Sequence, residues 1–65
     1  MTVRQWLDTI TLTKPVTVED MRQLHGLIKE RYPDSIVDAW VLSETSAAVV
    51  VELDGHRVKK VYDAR

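Results

Sequence analysis

Few side chains in this 65-residue chain have types that could do chemistry: His25 and His56, Asp38 among apolar neighbours, Ser35, Ser43 and Ser46, and the basic run Arg57, Lys59, Lys60 and Arg65. A transition-metal site needs three or four His, Cys, Asp or Glu ligands brought together, and neither histidine has partners at ligand spacing. There is no cysteine, which excludes thiolate metal centres and thiol redox chemistry. The serines lie in turn-like sequence, where hydroxyls bond neighbouring backbone, and none occupies a G-x-S-x-G elbow. Two glycines leave no phosphate-cradling loop. Asp38 is the one carboxylate expected to be partly buried, a setting that raises a carboxyl pKa, and Lys60 is its expected partner. The chain is therefore read as non-enzymatic, with no catalytic residue, metal or cofactor.

Nine Lys and Arg against ten Asp and Glu give a net charge of −1, so no global field gathers nucleic acid or an acidic membrane. The charges are unevenly placed. Residues 32 to 55 carry Asp34, Asp38, Glu44, Glu52 and Asp54 with no Lys or Arg, whereas 56 to 65 carry Arg57, Lys59, Lys60 and Arg65 against Asp63. Opposite charges on adjacent strands account for this pattern. The alternative is nucleic-acid binding through the 56–65 arm, since β-ribbons enter major grooves. Strand alternation weakens it, because Arg57 and Lys59 project to one side and Lys60 to the other.

The elements that position these residues follow from periodicity. In TKPVTVED, Pro15 blocks a helix entering from upstream, Thr17 is an N-cap, and Asp20 completes a capping-box arrangement. Val16 and Met21 have the spacing of a hydrophobic staple. From Val18 to about Arg31, Met21, Leu24, Leu27, Ile28 and then Tyr32 recur at steps of three and four, one buried stripe, and Pro33 ends the helix. Gly26, on the polar face, costs helix stability unless another backbone approaches it.

Residues 36–43, 47–53 and 56–62 read as strands, separated by the polar corner Ser43-Glu44-Thr45-Ser46 and by Asp54-Gly55, a two-residue hairpin signal. They form an antiparallel meander. Residues 2–13 are ambiguous. Val3, Trp6, Leu7 and Ile10 have helical spacing behind a Thr2 cap, yet Thr9 to Thr13 alternates in strand formers. A short helix handing over to a fourth strand satisfies both, and pairing that strand beside 36–43 would make the long helix a right-handed crossover. The fold class is α+β, one domain, with no apolar window long enough for a signal peptide or a bilayer span. A soluble cytoplasmic protein is expected.

A two-residue turn at Asp54-Gly55 sets Leu53 opposite His56, and a four-residue corner sets Leu42 opposite Ala47. One sheet face then holds Ile36, Asp38, Trp40, Leu42, Val49, Val51, Lys60 and Tyr62; the other holds Val37, Ala39, Val41, Ala48, Val50 and Val61. Both are apolar. One amphipathic helix covers one face, and the large-residue face is assigned to it. The small-residue face must meet the N-terminal segment, a second copy or another protein, which makes Val37, Ala39, Val41, Val50 and Val61 the expected partner-facing residues. A protein-interaction module, self-associating or adaptor-like, is the leading functional expectation.

Overall fold

The computed structural model describes residues 1–65, with α1 (Val3–Leu7), α2 (Val18–Arg31), β1 (Ile36–Ser43), β2 (Ser46–Leu53) and β3 (His56–Asp63) in chain order. No helix is long and apolar enough to cross a membrane. Both helices start as the sequence dictates. Thr2 and Gln5 form a complete capping box at α1, and Thr17 and Asp20 form one at α2, each satisfying amide groups that the first turn leaves unpaired. Val16 and Met21, the staple pair, are both buried. At its other end α2 stops before Pro33, and the Tyr32 amide donates to the Ile28 carbonyl at 2.8 Å.

The sheet has the order β1-β2-β3, antiparallel throughout. No fourth strand forms: residues 10–13 take no regular structure and pair with no strand, and the helical alternative for residues 3–7 is the one realised. The crossover topology therefore does not arise. Residues 9–16 instead strap one end of the sheet, with the Val16 amide donating to Glu44 O at 2.8 Å and the Arg65 amide to Leu12 O at 3.0 Å.

The β2–β3 hairpin has the expected register. Asp54 and Gly55 have φ of 54° and 78°, the pair of positive values a type I′ turn needs, and Leu53, Glu52 and Val51 oppose His56, Arg57 and Val58. The β1–β2 hairpin departs from expectation. Ser43 and Ser46 are themselves a strand pair, Val41 opposes Ala47, and Leu42 is the extra residue of a bulge. The polar corner thus contains a two-residue turn, held by Ser43 Oγ, which meets Ser46 Oγ at 2.8 Å and accepts from the Thr45 amide at 3.2 Å.

That difference of one residue exchanges the faces of β1. Trp40 opposes Ala48, not Val49, and Val37, Ala39 and Val41 join Val49, Val51 and Tyr62 on the helix-covered face. Ile36, Asp38 and Trp40 share the opposite face with Val50 and Val61. The core is Leu7, Val16, Met21, Leu24, Ile28, Ala47, Val49, Val51 and Tyr62. Leu7 of α1 lies in this same cluster, so both helices pack on one side of the sheet, α2 over β1 and α1 against β3. Trp6 meets Tyr32 edge-to-face at 5.6 Å between ring centroids, with the Arg31 guanidinium 5.5 Å from the Trp6 ring, which joins α1 to the end of α2.

Candidate functional site

The helix-free face of the sheet is laid out in cross-strand rows fixed by the register: Ile36–Glu52–Arg57, Asp38–Val50–Lys59, then Trp40–Ala48–Val61. Ile36, Trp40, Leu42 and Val61 are 67%, 41%, 51% and 49% exposed. Ala48, too short to rise between Trp40 and Val61, is buried. Three large apolar side chains, Ile36, Trp40 and Val61, open to water on one side of so small a sheet, with Leu42 exposed at the bulge, are a surface that association covers.

Of the five residues expected to face a partner, Val50 and Val61 are on this face, the first half-buried and the second exposed. Val37, Ala39 and Val41 are half-buried beside the core, under α2. Their expected face is corrected by the Leu42 bulge. The residues that sequence reasoning misplaced to the interior, Ile36, Trp40 and Leu42, are those that stand exposed.

The cations are dispersed. Lys60 lies on the covered side, where Nζ is 2.7 Å from Asp8 Oδ1 and 5.5 Å from the Tyr62 ring centroid. Its expected partner Asp38 is exposed on the other face, beside Val50 and in the row of Lys59. Arg57 approaches Glu52 at 4.0 Å across the hairpin, and Lys59 projects on that same side. Arg65 ends the chain beside Leu12. Arg57, Lys59, Lys60 and Arg65 do not form one continuous stripe.

His25 and His56 are both exposed and distant in the fold, on α2 and at the β2–β3 turn, and no three His, Asp or Glu side chains cluster in metal-binding geometry. Ser35 is buried but committed, donating from Oγ to the Tyr32 carbonyl at 2.6 Å, while Lys29 Nζ donates to the Ser35 and Pro33 carbonyls. Tyr62 is buried in the core beside Lys60. Burial, with the Asp8 carboxylate as a lesser cause, pushes its hydroxyl up to about 12. The Asp8–Lys60–Tyr62 cluster went unforeseen because it joins residues at opposite ends of the chain. Compared against protein families, curated proteins and solved structures, the chain matches none.

Proposed function

We propose that this chain is a small cytoplasmic protein–protein interaction module without enzymatic activity, one that self-associates through the apolar side chains that β1 presents to water. The observation that supports it is the exposure of Ile36, Trp40 and Val61 on the side of the sheet that neither helix reaches, with Leu42 exposed at the bulge. A monomeric domain of 65 residues has little apolar surface to spare, because burial on folding reaches only about 60% at this size. Leaving these side chains in water is costly, and association recovers the loss at roughly 25 cal/mol per Å² of apolar area covered.

The nucleic-acid reading through Arg57, Lys59, Lys60 and Arg65 is less well supported. Lys60 is engaged by Asp8, Arg57 is near Glu52, and acidic Asp38 and Asp63 border the strands that would have to approach phosphate.

Sedimentation equilibrium across a concentration series tests the proposal. The wild-type chain is expected to exceed its 7.5 kDa monomer mass, and the double variant Ile36→Lys/Leu42→Lys to remain monomeric while keeping its helical and sheet signal. A wild-type chain that stays monomeric to about 1 mM, the upper end of meaningful affinity, overturns it. Filter retention of mixed-sequence DNA and RNA at low salt, lost in Lys59→Glu, would favour the nucleic-acid reading instead.

A further inference from the structure

β1 is open to water at both parities. Ile36 and Trp40 are exposed on the helix-free face and Leu42 at the bulge, and Val37, Ala39 and Val41 on the other face are only half-buried. A partner laid flat against the open face covers the first set alone. A strand added alongside covers both.

β1 ends the sheet, and its backbone is arranged to accept such a strand. The type I′ turn makes Leu53 and His56 a hydrogen-bonded pair, which fixes the alternation across the sheet: Val49 and Val51 bond to β3, while Ala48, Val50 and Glu52 bond to β1. On β1, Ile36, Asp38 and Trp40 therefore spend their N–H and C=O groups on β2. Those of Val37, Ala39 and Val41 point outward, and no backbone hydrogen bond from loops or caps takes them up. The other edge is defended. β3 carries Arg57, Lys59 and Lys60, and α1 and residues 8–12 lie against it, whereas β1 has Asp38 as its only charge.

The geometry points to antiparallel pairing of β1 with β1 of a second copy about a two-fold axis at Ala39, joining two three-stranded sheets into one of six. This rests on the self-association proposed above and names its geometry. A two-fold axis normal to the sheet preserves its faces, so only residues of like parity pair. Centred on Asp38, the axis would set the two carboxylates directly opposite, which is unfavourable. Centred on Trp40, it would pair Val37 with the partner's Ser43, whose backbone already serves the Ser43–Ser46 pair. Centred on Ala39, it pairs Val37 with the partner's Val41 and Ala39 with the partner's Ala39, a ladder of about six hydrogen bonds. Ile36 then lies beside the partner's Leu42, and Asp38 beside the partner's Trp40, with no like charges opposed.

Amide hydrogen exchange on the intact wild-type chain tests this. Raising the concentration through the association range is expected to slow exchange at Val37, Ala39 and Val41 by about tenfold or more, while the outward amides of Arg57, Lys59 and Val61 on β3 are unchanged. Ala39→Pro, which removes an outward N–H only, is expected to abolish association, and the matched Lys59→Pro on the far edge to leave it intact. Association with these three β1 amides still fast, and lost instead in Val61→Lys, overturns the edge pairing and leaves the open-face reading standing. A chain that is monomeric throughout overturns both.

Discussion

The phenolic hydroxyl of Tyr62 donates a 2.7 Å hydrogen bond to the main-chain carbonyl of Leu7, tying the last strand to the first helix across 55 positions. Both groups are buried, and the carbonyl lies at the end of the five-residue helix α1. Tyr62→Phe keeps the ring and leaves the carbonyl without this donor. It is expected to lower stability by about 1–2 kcal/mol in urea unfolding, and to release α1 first, seen as faster exchange at the Leu7 and Asp8 amides.

Alkaline pH attacks the same bond. The Tyr62 hydroxyl ionises at about 12 in the fold, against 10.0 as the ordinary value. The unfolded chain therefore gives up this proton first, so the stability it supplies is complete below about pH 10 and is lost as the pH rises towards 12. Unfolding free energy measured from pH 8 to 12 is expected to fall in this window, and Tyr62→Phe to flatten that fall.

The two glycines are expected to respond with opposite signs. Nothing lies within 4 Å of a Cβ placed on Gly26, which sits in the middle of α2, so Gly26→Ala should raise stability by about 0.5–1 kcal/mol. Gly55 holds a φ of 78° in the type I′ turn, and Gly55→Ala should cost about 1 kcal/mol. Thermal melts of the two variants check both, and equal shifts in the same direction would contradict the turn and helix assignments together.

Asp8 and Lys60 form a close but half-exposed ion pair. A double-mutant cycle with Asp8→Ala and Lys60→Ala is expected to give a coupling of about 0.5–1 kcal/mol at low salt, shrinking towards zero at high salt. A coupling that is insensitive to salt would place the pair in a drier setting than its exposure describes.

Where local chemistry sets the structure, the sequence is enough. Thr17 with Asp20, Thr2 with Gln5, and Asp54 with Gly55 each act over two to four residues, and both capping boxes and the β2–β3 register follow from them. The run 36–42 is different, because it is apolar at both parities except for Asp38 and so carries no internal record of which side is inner. Its facing follows from the register at the corner, where Ser43 pairs with Ser46 across a two-residue turn and Leu42 is left as the surplus residue. Residues 9–13 alternate like a strand, yet they lie in the strap, where the Leu12 carbonyl accepts from the Arg65 amide, and join no ladder. The exposed set Ile36, Trp40 and Leu42 was hidden by the same one-residue uncertainty that displaced Val37, Ala39 and Val41.

The surplus Leu42 also gives this hairpin a means of change that point substitution lacks. Taking Leu42 into the ladder opposite Ala47 would turn the strand over, carrying indole and isoleucine inward and valine and alanine outward with the sequence unaltered. What such a molecule displays to its neighbours is thus governed by whether one corner residue enters the ladder.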